Sequence, residues 1–169
     1  DGQRLPYHVA ALASKPNPIG DIMAVIGAYQ PDVVLSVQDM PYHIQLFQSP
    51  GVDWSRIARV LITPVDGVPI DPDWLDLLPK IDGALTISEF GVNAFREAGH
   101  HVGLCRPGIN PDKFYRVTPE DRAAIRAKLG IGPGDFLLGS MAQNQGRKAI
   151  SIMLEGFFEF AKDKPSARY

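Results

Sequence analysis

The chain has 169 residues, a net charge of −2, 45% hydrophobic residues and 21% charged residues, which are normal values for a globular protein. Because no basic run is longer than a pair, we expect no nucleic-acid binding, and because no apolar stretch approaches the roughly 20 residues of a membrane span, we expect no such span. No signal peptide is recognisable, so a cytoplasmic protein is expected, and the single Cys105 excludes an internal disulfide framework.

The predicted elements alternate between strands and helices along the chain. Short apolar runs predict strands at 7–12, 33–37, 60–63, 84–87, 102–105 and 136–141, of which the strand at 33–37 should be buried. Apolar residues at helical spacing, with capping residues before and after them, predict helices at 22–29, 39–47, 71–78, 88–99, 118–130 and 147–162. This alternation predicts an α/β, Rossmann-like fold with a parallel sheet covered on both faces.

The last predicted helix has a strongly apolar face. Its members recur every three or four residues and are Ile150, Met153, Leu154, Phe157, Phe158 and Ala161. Such a face has to pack against a sheet, and we expect this chain to supply only part of that sheet. An apolar face and a sheet edge left open would favour self-association.

The segment 140–148 carries the strongest functional signal, because it connects an apolar strand to this helix. Helix N-termini favour anions, and two adjacent cations, Arg147 and Lys148, add charge-assisted hydrogen bonds to phosphate oxygens. Cations are mildly unfavourable at the positive end of a helix, so their position there calls for a reason. We therefore predict a phosphate site. Asn144, in the same segment, is a third candidate ligand. The alternative for the Arg147-Lys148 pair is that both are solvated charges, and the alternative for Asn144 is a plain loop or capping residue.

Polar residues also follow strand ends, where ligands collect in open α/β sheets. Asp66 is one candidate, although Asp-Gly is also an ordinary turn. Gln38, Asp39 and His43 follow another strand end and could bind a polar ligand, with the histidine assisting proton transfer, but a helix cap and a surface histidine are the favoured interpretation.

Two further groups of residues have simple explanations. His100 and His101 lie in a turn without a third ligand, so no metal site is expected. Three aromatic residues could line a ligand cleft, but aromatic residues are more often core residues; the three are Tyr42, Phe47 and Trp54.

Three segments, taken in order, resemble retaining glycosyltransferases of the GT-B fold. Residues 81–90, Ile-Asp-Gly-Ala-Leu-Thr-Ile-Ser-Glu-Phe, resemble a unit late in the family's N-terminal domain. Residues 106–110 and Phe114 resemble the family's crossover, with Arg106-Pro107 in place of the usual Pro-Asn. Residues 139–148 resemble the start of the C-terminal domain, although Ala149 stands where glycine usually follows the lysine.

The resemblance implies a domain organisation and an activity. Residues 1–110 would be the end of the acceptor domain, 111–135 the crossover with a capped helix, and 136–169 the first strand-helix unit of the donor domain. The enzyme would transfer a sugar from a UDP- or GDP-linked donor to a glycan or lipid acceptor, with retention and without a cofactor or metal. Lys148, with Arg147 and Asn144, would bind the donor phosphates, and Gln38, Asp39 and His43 are the residues that could serve a sugar acceptor.

The family's glycine-rich loop would lie upstream and its paired glutamates downstream, so the chain is expected to be an internal fragment that is inactive alone. The alternatives are a non-catalytic sugar-nucleotide binding module and a related nucleotide-sugar epimerase.

Overall fold

A computed structural model of the protein describes residues 18–169, so the strand predicted at 7–12 lies outside the described residues. The chain divides into two compact units, the first ending at Gly108 and the second covering Ile109–Tyr169. Among residues 18–169, no helix is both long enough and apolar enough to cross a membrane.

The described part of the first unit, residues 18–108, contains a four-stranded parallel sheet. Its strands are β1 (Val33–Val37), β2 (Ala58–Thr63), β3 (Gly83–Thr86) and β4 (Gly103–Leu104), which lie side by side in chain order. In the register, Val33 pairs with Ala58, Val60 with Gly83, and Leu85 with Gly103. The predicted α/β fold with a parallel, Rossmann-like sheet is therefore confirmed.

Up to Gly108, the part of the chain that the structure describes has four α-helices beside this sheet. They are α1 (Ile19–Tyr29), α2 (Met40–Phe47), α3 (Pro72–Leu77) and α4 (Glu89–Glu97), with single 3-10 turns at Trp54–Arg56 and Leu78–Lys80. The predicted caps hold for two of them, because Asp71 accepts the N–H of Asp73 at 2.9 Å and Ser88 accepts the N–H of Gly91 at 3.1 Å. Asp39 occupies the N-cap position of α2, but its side chain makes no capping hydrogen bond.

The core of the first unit lies between the sheet and its helices. Its buried apolar residues are Ile26, Met40, Leu46, Phe47, Leu61, Val65, Ile70, Leu77, Ala94 and Phe95. The strand predicted at 33–37 is confirmed as β1, but its predicted burial is wrong, because β1 is the edge strand of the described sheet. Val33, Leu35 and Val37 on one of its faces are all more than half exposed, whereas Val34 packs against the core.

The second unit is smaller and has a two-stranded sheet. Its elements are α5 (Pro119–Lys128), β5 (Phe136–Leu137), α6 (Ile150–Ala161) and β6 (Ala167–Arg168), with a 3-10 turn at Gly146–Lys148. β5 pairs in parallel with β6, a strand that the sequence did not predict. The strand predicted at 136–141 is correspondingly too long, since β6 offers only two residues for pairing.

A buried arginine connects α5 to the loop that precedes β5. The Arg126 guanidinium donates to the carbonyls of Gly132 at 2.9 Å and Asp135 at 2.6 Å. The Asp135 carboxylate accepts the N–H of Gly132 at 2.9 Å and lies 3.3 Å from Nε of Arg168. Helix, loop and both strands of the second unit are therefore joined by one polar network.

The apolar face of α6 is narrower than predicted. Phe157 is buried, and its ring lies 5.3 Å from that of Tyr169. Phe158 was predicted to share this face, yet it is 65% exposed. Adjacent helical residues differ in direction by about 100°, so a stripe centred on Phe157 directs Phe158 away from the core.

Candidate functional site

The predicted phosphate loop connects β5 to α6 in the second unit. Arg147 and Lys148 lie in the 3-10 turn, which the Lys148 N–H closes by donating to the Gln145 carbonyl at 2.9 Å. Ala149 then adopts a left-handed conformation with φ 48° and ψ 42°, and α6 begins after it. The prediction that the helix starts at residue 147 is therefore wrong by three residues.

The electrostatics of a helix end explain this later start. Partial positive charge at the N-terminus disfavours cations in the first helical turn. With Ala149 left-handed, both cations lie immediately before the helix instead of inside it. The N-cap residue of α6 makes no side-chain hydrogen bond, so no capping side chain satisfies the first N–H groups of this helix.

The polar side chains of this loop are exposed. The side chains of Arg147 and Lys148 make no hydrogen bond or ion pair with any residue of 18–169. Asn144 is likewise exposed, and its neighbour Gln145 donates through Nε2 to Oε1 of Gln143 at 2.9 Å. The structure thus places the three predicted phosphate ligands on one exposed loop, and their role stays a prediction.

A cleft of about 390 Å³ opens in the first unit beside the end of β1. Its described lining residues are Pro18, Ile19, Ile22, Ser36, Gln38, Asp39, Tyr42 and Leu46. Gln38 and Asp39, which were considered as acceptor-binding residues, thus lie at this cleft together with the aromatic Tyr42. The lining combines an amide, a carboxylate and a phenol with aliphatic side chains.

His43 differs from its predicted surface position, because its side chain is completely buried. Its Nε2 lies 3.2 Å from the carbonyl oxygen of Ile62, and its ring stacks on Phe47 with the centroids 6.2 Å apart. Burial lowers the pKa of His43 below its usual value. Hydrogen bonding to the backbone of Ile62 and Gln38 and the charge of the Asp39 carboxylate act in the opposite direction and raise this pKa, but burial has the larger effect. The ring is therefore neutral near pH 7 and cannot touch a ligand directly.

The remaining strand ends carry exposed charges. Asp66 follows β2 and is exposed, and its candidate catalytic role stays a prediction. Arg106, which follows β4, forms an ion pair with Glu89 at the start of α4. No local pattern indicates this pair, because 17 positions separate its members.

The aromatic candidates divide between the core and the cleft. Phe47 is a core residue whose ring meets Trp54 edge-on at 5.4 Å, so of the three aromatics considered only Tyr42 lies at the cleft. Within residues 18–169 no group of three or more His, Cys, Asp or Glu side chains is arranged to hold a metal ion.

Comparison with known proteins finds partial similarity. No protein-family model matches the chain. Over 64 residues, which are 37% of this chain and 16% of the other protein, it is 36% identical to the alpha-monoglucosyldiacylglycerol synthase of Acholeplasma laidlawii. Over 69 residues, which are 40% of this chain and 14% of the other protein, it is 30% identical to the mannosylfructose-phosphate synthase of Agrobacterium fabrum strain C58. The matched part therefore spans about a sixth of the first relative's length and a seventh of the second's, and both relatives are named for making a sugar-bearing product.

Proposed function

We propose that this chain is part of a GT-B-type glycosyltransferase that moves a sugar from a UDP- or GDP-linked donor to a glycan or lipid acceptor. The parallel α/β sheet and the partial similarity to two glycosyltransferases support this proposal. The observation that carries it is the exposed Arg147-Lys148 pair, which has no counter-ion among residues 18–169 and lies directly before an uncapped helix.

The chemistry of this loop suits a diphosphate leaving group. When the bond between sugar and phosphate breaks, negative charge builds up on the diphosphate oxygens. The Lys148 ammonium and the Arg147 guanidinium would stabilise this charge as it develops, together with the N–H groups at the start of α6. Arg147 can donate two parallel hydrogen bonds to phosphate, whereas Lys148 acts as a compact point charge.

The cleft beside β1 suits an acceptor. Hydroxyl groups of a sugar can donate to the Asp39 carboxylate and exchange hydrogen bonds with the Gln38 amide. Tyr42 offers an aromatic face, and Ile19 and Leu46 provide an apolar wall. This lining accommodates an acceptor that has both hydroxyl groups and apolar surface, such as a glycan or a lipid headgroup.

Calorimetric titration of UDP and of GDP into the natural full-length protein tests the donor site. Lys148→Ala should weaken nucleotide binding by about 1.5–3 kcal/mol, or roughly 10- to 150-fold, the scale of hydrogen bonds to charged groups. Lys128→Ala is the matched control, because Lys128 is an exposed lysine at the opposite, C-terminal end of a helix in the same unit. Equal nucleotide affinity in the wild type and the Lys148 variant would exclude this loop as the phosphate site. Absence of binding to both nucleotides would refute the proposed donor class.

A further inference from the structure

One backbone carbonyl at the end of the first unit's sheet accepts two hydrogen bonds. The Ile62 oxygen lies 3.2 Å from the backbone nitrogen of Gln38 and 3.2 Å from Nε2 of His43. The first bond extends the pairing of β1 with β2 by one residue, and the second comes from α2. Since a carbonyl oxygen only accepts, the His43 ring carries its proton on Nε2.

These two bonds hold both sides of the turn that joins β1 to α2. Gln38 fixes the start of the turn to β2, and His43 fixes the first helical turn that follows to the same atom of β2. Within the turn, the Tyr42 N–H donates to the Asp39 carbonyl at 3.0 Å. Residues 38–43 comprise the turn after β1 and the first turn of α2, and are called here the 38–43 loop; both of its ends are bonded to the Ile62 carbonyl.

Three polar side chains of this loop face solvent, whereas Met40 between them is buried in the core. Gln38, Asp39 and Tyr42 are exposed and line the cleft. The Asp39 carboxylate makes no capping hydrogen bond to α2, so the backbone of the loop determines where this carboxylate lies. A small change in that backbone would move all three groups together.

We propose that His43 is a positioning residue for the cleft: its Nε2–H bond to the Ile62 carbonyl holds the 38–43 loop so that Gln38, Asp39 and Tyr42 present their side chains to one ligand. His43 is fully buried, and its stacking on Phe47 fixes the plane of the ring. The identity of that ligand as a sugar acceptor rests on the proposed function, whereas the positioning of the loop does not.

Hydrogen exchange of backbone amides, measured by NMR on the whole chain, tests the positioning directly. His43→Phe keeps an aromatic ring on Phe47 but removes the donor, and it should speed exchange at Gln38 by about tenfold relative to Leu61 in β2. His43→Gln supplies an amide donor and should recover most of this protection. Unchanged exchange at Gln38, or equal loss of protection at both positions, would overturn the proposal, because the latter is the response to a merely destabilised fold.

Two further readouts separate this inference from the proposed function. In the wild type, a ¹⁵N spectrum of the imidazole should show the proton on Nε2, and a proton on Nδ1 would overturn the proposal even if the variants fail to fold. In the natural full-length protein, His43→Phe should raise KM for the acceptor at least fivefold without changing nucleotide affinity. Faster Gln38 exchange in a full-length protein without transferase activity would support the positioning role and refute the proposed function.

Discussion

Gly91 provides a sharp test of how closely α4 packs against β3. It is buried in the first turn of α4, where a Cβ atom would lie 2.4 Å from Oγ1, 3.0 Å from Cγ2 and 3.1 Å from Cβ of Thr86. Ordinary van der Waals contact begins near 3.4 Å, so Gly91→Ala would force the helix or the strand to shift by up to an ångström. Thr86 cannot move aside, because it is fully buried and β-branched.

Overpacking of this kind costs about 1–3 kcal/mol. Because the clash with Thr86 is severe, the cost should lie in the upper half of that range, about 2–3 kcal/mol. The gain in helix propensity from glycine to alanine recovers about 0.5–1 kcal/mol, so we expect a net destabilisation of about 1–2.5 kcal/mol. Gly27→Ala in α1 is the matched control, because a Cβ there meets no atom within 4 Å. That substitution should stabilise the first unit by about 0.5–1 kcal/mol, which reverses the sign.

Urea unfolding followed by tryptophan fluorescence measures both effects in the first unit, since the chain has 2 tryptophans and both, Trp54 and Trp74, lie there. Thr86→Ala should relieve much of the clash, so the Gly91→Ala and Thr86→Ala changes should couple favourably by about 1 kcal/mol. A Gly91→Ala protein as stable as the wild type, or additive effects within about 0.3 kcal/mol, would show that helix and strand are not in such close contact.

Two other predictions concern stability. Phe157→Ala should destabilise the second unit by about 3 kcal/mol, whereas Phe158→Ala should cost less than about 1 kcal/mol, because of the two only Phe157 is buried. Hydrogen exchange of the α6 amides measures both losses of stability. Equal losses would contradict the orientation of α6. Because the pKa of His43 is lowered in the folded protein, the unfolded chain takes up this proton at a higher pH than the folded chain does. The stability contributed by the neutral ring is therefore complete above about pH 6.5 and declines as the pH falls below it, by up to about 1.4 kcal/mol per pH unit. Urea unfolding at pH 7.5 and 5.5 should show a smaller decline for His43→Gln than for the wild type and the His101→Gln control, and identical declines would contradict the buried, neutral ring.

The sequence predicted the fold where local patterns and tertiary packing agree. The parallel α/β alternation followed from apolar runs and caps, and Ser88 and Asp71 cap their helices as their residue types indicate. The start of α6 was misplaced because residues 147–162 have a continuous helical pattern, in which nothing marks Ala149 as left-handed.

Other features depend on contacts that a pattern cannot contain. His43 has the polarity of a surface residue, and its burial depends on the Ile62 carbonyl, 19 positions away. The sequence likewise treats Arg126 as one of several cations on a helix, whereas the fold gives it two carbonyl partners in the loop before β5. Polar burial of this kind is decided by the available partners, which become known only once the fold is known.

The backbone at Ala149 has a consequence for how this protein would respond to random mutation and selection. A left-handed conformation costs a non-glycine residue about 1–2 kcal/mol, and glycine avoids most of that cost. Alanine and glycine codons differ by a single base, so every error-prone library samples this exchange. Selection of such a library for heat resistance alone should therefore enrich glycine at position 149, while selection for activity would reveal whether a stiffer link before α6 is needed.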